Sequence, residues 1–222
     1  VTAGFHRVAW DLRYPSSQPV DLKPAEPLPW TDPNVGPLVA PGTYSVTLSL
    51  RVNGVTKTVG EPQRLTVQTL GIADLPPADR AALVTFQQRV AALQRAVHGA
   101  GKAAEQAKDR IAHLKKALDD TPRADANLAG ELRAIEARLL DLQAELEGDG
   151  VRGRRNEPTL PGIQDRVDRI VGGSWTSTAA PTGTQLDGYE VAARLFGDCF
   201  ARLRALLETD LASDQRDYTR TV

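Results

Sequence analysis

Three histidines and one cysteine are the residues of this chain best suited to metal binding or nucleophilic chemistry. Their spacing argues against both. His6, His98 and His113 each lack a second His or Cys within a helical turn, so none belongs to a metal-ligand run. His98 and His113 fall outside the apolar pattern around them and are expected in solvent; His6 is expected at a surface or sheet edge. Cys199 lies between Phe196 and Phe200, where a small buried hydrophobe is expected rather than a reactive thiol. A single cysteine excludes an internal disulfide framework.

The carboxylates give no better footing. Asp119/Asp120 and Glu145/Glu147 are paired in sequence, but they fall at helix ends or exposed faces. A glycosidase needs two carboxyl groups about 5–10 Å apart across a cleft. No Gly-x-Ser-x-Gly elbow, phosphate loop or dinucleotide glycine fingerprint occurs. No catalytic residue, metal or cofactor is therefore expected, and the chain by itself is not expected to be an enzyme.

Two features suit binding. Arg152, Arg154 and Arg155 form a small basic cluster punctuated by glycine, read as a solvated loop or an anion or partner contact. Trp30 sits in Pro29-Trp30-Thr31-Asp32-Pro33. There it would cover a sheet edge or the seam between sheet and bundle, or stack on a carbohydrate. Trp10 is expected in a sheet core, and Trp175 is expected to plug one end of a helical bundle.

The elements that must position these residues divide the chain in two. Residues 1–70 read as β. Phe5, Val8 and Trp10 begin a first strand, and Tyr44, Val46, Leu48, Leu50 and Val52 alternate with polar residues in a second. Asn53-Gly54 is a strong hairpin signal. Residues 56–59 return from it, and residues 64–69 continue or parallel that strand. The connection over residues 15–41 holds seven prolines before Pro41, which suits a crossover rather than a central strand. Three or four strands are too few for an immunoglobulin-like sandwich. The expectation is thus a partial Ig-like sandwich whose upstream strands are missing.

Residues 71–222 read as helix. Leu83, Phe86, Val90, Leu93, Val97, Ala100, Ala104, Ala107, Ile111, Leu114 and Leu118 alternate in steps of three and four along one helix. That helix is expected to start at Pro76-Pro77 and to run about 65 Å. A second over residues 125–146 would lie antiparallel beside it, with a short third over 162–171 ended by Gly172-Gly173. A fourth follows Pro181-Thr182, with Leu186, Tyr189, Ala193, Phe196, Phe200, Leu203 and Leu207 inward. The fold class is accordingly α+β in two parts: a partial Ig-like β-sandwich, then an elongated antiparallel helical bundle. A buried Phe200 predicts that Phe200→Ala costs about 3–5 kcal/mol.

A formal net charge of −1 and a hydrophobic content of 41% suit a soluble core and supply no field for nucleic acid. No apolar run approaches the roughly 18 residues of a membrane span. With no initiator Met and no leader pattern, the chain reads as a trimmed or mature fragment.

Gly4, Arg7, Trp10, Asp11, Leu12, Arg13 and Tyr14, with Gly36-Pro37-Leu38-Val39-Ala40-Pro41-Gly42-Thr43-Tyr44, carry a family resemblance. They resemble the C-terminal region of bacterial sortilin-like proteins, whose propellers are built of BNR (Asp-box) repeats and which are often labelled glycosyl hydrolases. Pro181-Thr182-x-x-Gln185 before the last long helix is similar as well. The strand pair also resembles the Ig-like domain of flagellar hook-capping proteins. The chain has no Asp-box repeat, Ser-x-Asp-x-Gly-x-x-Trp. The resemblance thus implies an upstream propeller domain as partner, carrying any hydrolase activity, and an extracytoplasmic location. The expected function is a non-catalytic accessory module that braces or docks that assembly. A carbohydrate- or protein-binding module built on the Trp30 loop is the alternative. A third reading is a coiled coil that self-associates into a homo-oligomer.

Overall fold

The computed structural model describes residues 4–20, 35–71, 75–121 and 126–211. Its elements, in order, are β1 (Gly42–Val52), β2 (Val55–Val67), α1 (Pro77–Asp119), α2 (Ala126–Glu147), α3 (Gly150–Arg154), α4 (Ile163–Ser174) and α5 (Gly183–Ala205), with a π-helical turn over Leu206–Asp210. No described helix is long and apolar enough to cross a membrane.

The expected sandwich does not form. Among the described residues the one sheet has two strands, β1 and β2, so the fold is α-dominated and carries a small β-hairpin. Residues 4–10 form no strand, and a single bridge, Arg13 to Leu38, joins the N-terminal segment to the approach of β1. Trp10 is consequently not core. It is 41% exposed, packing edge-on against Tyr44 with ring centroids 5.4 Å apart.

The hairpin is nonetheless well defined. Asn53 and Gly54 both have positive φ, 49° and 82°, as a tight turn between twisted strands requires. Residues 56–59 and 64–69 prove to lie along one strand, β2, with a bulge between them. Val46 pairs with Gln63 and Leu48 with Val59, so Thr47 faces three residues, 60–62, on β2. The excess is two residues, which keeps the alternation in phase on either side of the bulge.

The helices carry the core. α1 is 43 residues long with Pro77 in its first turn, where a proline fits a helix start. Every residue of its expected seam is buried, or partly buried against the core. α2 supplies Leu128, Leu132, Ile135, Leu139, Leu142 and Leu146 against it; α4 supplies Ile163, Val167 and Ile170. The continuous core runs from Phe86 to Leu211 and contains no residue of β1 or β2.

Three expectations within the bundle are corrected. The buried face of α5 is Ala192, Phe196, Cys199 and Leu203, rotated by one residue from the face read through Ala193 and Phe200. Phe200 stacks on Phe196 but is 44% exposed, so its removal costs less than the loss of a buried ring. Gly172 and Gly173 lie inside the last turn of α4 instead of ending it. The Arg152 region, read as a loop, folds into α3. Beyond α5, Leu206 and Leu211 are both buried. The wider π turn between them brings residues five apart onto one face.

Two glycines show how tightly the backbone is drawn. A Cβ on Gly162 would lie 2.6 Å from the carbonyl carbon of Glu147 and closer still to the nitrogen of Gly148. Gly99, in the middle of α1, has open space where a Cβ would be. Gly162→Ala is therefore expected to lower stability by about 1–3 kcal/mol through backbone displacement. Gly99→Ala should raise it by about 0.5–1 kcal/mol through helix propensity. Urea denaturation of both variants checks the pair; a gain for Gly162→Ala or a loss for Gly99→Ala would contradict the packing described.

Candidate functional site

The polar side chains that come together lie where the N-terminal segment crosses the bundle. On α1, Gln87, Gln94 and His98 follow one another at seven and four residues, so they share a face beside the apolar seam. α4 brings Asp168 opposite them, and its end brings Ser174 and Trp175. Gln94 Nε2 donates to Asp168 Oδ1 at 2.8 Å, and His98 Nε2 lies 3.0 Å from the same oxygen. The Ser17 hydroxyl donates to Gln94 Oε1, and Ser17 and Gln94 are both buried.

Further bonds fasten the same crossing. Arg95 Nη2 donates to the Ser16 carbonyl at 3.2 Å, and Gln87 Nε2 to the Ser174 carbonyl at 2.7 Å. The Trp175 indole donates to the Val35 carbonyl at 3.1 Å. Arg13 Nη1 lies 3.0 Å from the Gly36 carbonyl and 3.4 Å from that of Trp175. Gly36 must be glycine here: a Cβ would meet the Pro15 carbonyl oxygen at 2.5 Å and that of Tyr14 closer still. A cleft of about 540 Å³ lies beside these groups, lined by Arg13, Ser17, Gln94, Asp168 and Trp175 among others.

Bond order decides what this cluster can do. Asp168 and His98 form a carboxylate–imidazole pair, but Ser17 is reached only through Gln94. An amide oxygen cannot take a hydroxyl proton, so this chain of bonds does not activate Ser17 as a nucleophile. It does fix the segment to two helices. Burial pushes the Asp168 carboxyl upward, yet hydrogen bonds from His98, Gln94 and Gln164 outweigh it and hold the group below its ordinary value. His98 is thus not solvated, as its sequence position had suggested: its side chain is 15% exposed.

The basic cluster is largely occupied by its own neighbours. Asp149 caps α3 by accepting from the Val151 and Arg152 backbones at 3.0 and 3.1 Å. Those bonds, that from Arg152 first, lower its carboxyl together with the charges of Arg152 and Arg154. Arg152 pairs with Asp149 at 3.5 Å and Arg155 with Glu157 at 4.0 Å, while Arg154 lies exposed on α3. The structure does not bring these arginines to the polar cluster or to the cleft. Trp30 lies outside the described residues. Trp175 is buried at the bundle end as expected, with its indole spent on Val35.

The remaining candidates are also engaged. Glu145 accepts both Arg202 guanidinium nitrogens, linking α2 to α5, and Asp120 accepts from Lys116 at 2.8 Å. Cys199 is fully buried with its sulfur 3.9 Å from the Leu142 carbonyl. Burial first, then the Glu145 charge, pushes its thiol up to about 11, with Arg202 pulling weakly the other way.

A scan of family models, a search of curated proteins and a search of solved structures each returned no match to this chain.

Two outcomes follow from these ionisations. Because the folded-state carboxyl of Asp168 is depressed, its contribution is complete above the unfolded carboxylate value of about 3.9. It is lost as pH falls through the lower folded value. Urea titrations between pH 6 and pH 2 should show a shallower acid loss for Asp168→Asn than for the native chain; equal slopes would contradict the network. The Cys199 thiol should react with a small disulfide reagent at pH 8 at least about two orders of magnitude more slowly in the native protein than in the unfolded chain, because burial both lowers its thiolate fraction and denies the reagent access. Equal rates would place it at the surface.

Proposed function

We propose that this chain is a non-catalytic docking module in which a rigid helical bundle holds out a β-hairpin for a larger assembly. One observation carries the reading. The even-numbered residues of β1 and their cross-strand partners share a face, because side chains alternate along a strand and partners point the same way. That face holds Val46, Leu48, Leu50, Val52, Val55 and Val59, with Lys57 opposite Leu50 and Gln63 opposite Val46. All six are exposed, Leu48 by 66% and Val55 by 70%. The other face is polar throughout, with Thr43, Ser45, Ser49, Arg51, Thr56, Thr58 and Arg64.

A sheet of this pattern is amphipathic in the sense that normally covers a core, yet among the described residues no core lies against these six side chains. Scattered apolar surface residues need no explanation, but six exposed aliphatic residues gathered on one face of a single hairpin do. The seam of α1, by contrast, finds its partners within the chain, so the bundle needs no second copy to bury it. The resemblance in the N-terminal segment supplies a candidate for the assembly, an exported propeller-bearing protein of the sortilin-like kind. The closed hydrogen-bond chain from Ser17 to His98 supports the non-catalytic half of the reading.

A photo-crosslinking side chain placed at Leu48, in the cells that make the protein, should give a discrete adduct that Val46→Ser abolishes. The same group at Glu105, exposed on α1, should give none. Equal labelling at both positions would contradict the docking role. Hydrolysis of an aryl glycoside that Asp168→Asn abolishes would contradict the non-catalytic one.

A further inference from the structure

We infer that the partner of the hairpin is an extended strand that adds to the free edge of β1, with aliphatic residues at alternate positions and acidic residues between them. This rests on the docking reading and specifies its chemistry. Two strands standing alone are marginal in water, and three with an apolar face are the smallest independently stable sheet. Among the described residues both edges of the β1–β2 pair are open.

The two edges are not equivalent. β2 is interrupted by its bulge over residues 60–62, where Gly60 takes a φ of 72° and Pro62 has no N–H to donate. Bulges and prolines are the devices that keep an edge from being extended. β1 runs from Gly42 to Val52 with no proline and no glycine after its first residue. Its outer edge therefore offers a continuous row of donors and acceptors, and β2's does not.

The side chains specify the occupant. A strand beside β1 sets its residues next to Val46, Leu48 and Leu50 on one face and next to Ser45, Ser49 and Arg51 on the other. Alternate aliphatic residues would extend the apolar face. The polar face of the hairpin carries Arg51 and Arg64, while Lys57 lies on the apolar face opposite Leu50; acidic residues between the aliphatic ones of the added strand are therefore matched in charge by Arg51 beside them and Arg64 beyond it. Backbone pairing with side-chain alternation is a general mode of peptide recognition.

The test uses the full chain and an 11-residue synthetic peptide alternating valine with glutamate and threonine. Amide hydrogen exchange, resolved by residue, should show at least tenfold slowing at alternate amides of β1 and none at the outer edge of β2. A peptide of the same composition with its valines grouped, or with lysine for glutamate, should bind at least tenfold more weakly. Leu48→Lys, a change at an exposed site, should weaken binding similarly while the helices keep their protection. Slowing confined to β2, or binding without slowing in β1, overturns strand addition. So does β1 protection that grows with protein concentration alone and accompanies a sedimenting dimer, since the occupant is then a second copy. A crosslink at Leu48 without protection of β1 would refute strand addition and leave the docking role standing, so the two can fail separately.

Discussion

The length and regularity of α1 is the constraint from which the rest of the molecule follows. A helix of 43 residues spans about 65 Å, and no single neighbour in this chain is long enough to cover it. Its seam is therefore shared. α2, α4 and α5 all pack on α1, and α5 packs on both α2 and α4, so that Val90, Val97, Ala104 and Ile111 are all removed from water. The alanines in the middle of the seam let those partners approach closely. The sharp backbone passage at Gly148 and Gly162 turns the chain between α2 and α4, and it is possible only because Gly148 takes a positive φ of 87° and Gly162 has no side chain to meet the backbone of residues 146–148.

The β part has no comparable support. What attaches it is the burial of Pro37 and Val39 together with a set of directional bonds: Ser17 to Gln94, Gln94 and His98 to Asp168, Arg13 to two carbonyls, and Trp175 to Val35. Buried polar groups of this kind are costly unless each is satisfied, and here they satisfy one another. Their effect is positional. They hold the segment leading to the hairpin against α1 and α4, while an apolar hollow of about 200 Å³, lined by Leu12, Val39, Val67, Leu83 and Val84 among others, lies at the hairpin's base. The hairpin beyond that base is held by its own ladder. A rigid bundle, a polar attachment and an uncovered amphipathic arm are the three parts of one arrangement.

How far the sequence revealed this varies with the physics of each element. The heptad spacing of α1 and the Asn53-Gly54 turn were legible because both are local: the first depends on helix period, the second on two positive φ values. The sandwich was not, because period-two alternation says which face of a strand is apolar and is silent on whether another layer covers it. Val46, Leu48 and Leu50 have the pattern of a half-buried strand, and among the described residues no second sheet lies above them. The α5 face went wrong by one residue, since Phe196, Cys199, Leu203 and Leu206 fit the three-and-four rhythm as well as Phe196, Phe200, Leu203 and Leu207 do. The polar attachment was the least legible. Gln94 and His98 sit one helical turn apart, a visible sign, but Asp168 lies 70 residues beyond His98 on another helix, and nothing local joins them.

Native-state hydrogen exchange of the free protein tests the division between a rigid support and an uncovered arm most directly. Amides of α1 from Val90 to Ile111 should exchange only through global unfolding, while those of β1 and β2 open at least about 2 kcal/mol more readily through local unfolding. Hairpin amides as well protected as the middle of α1 would contradict the account.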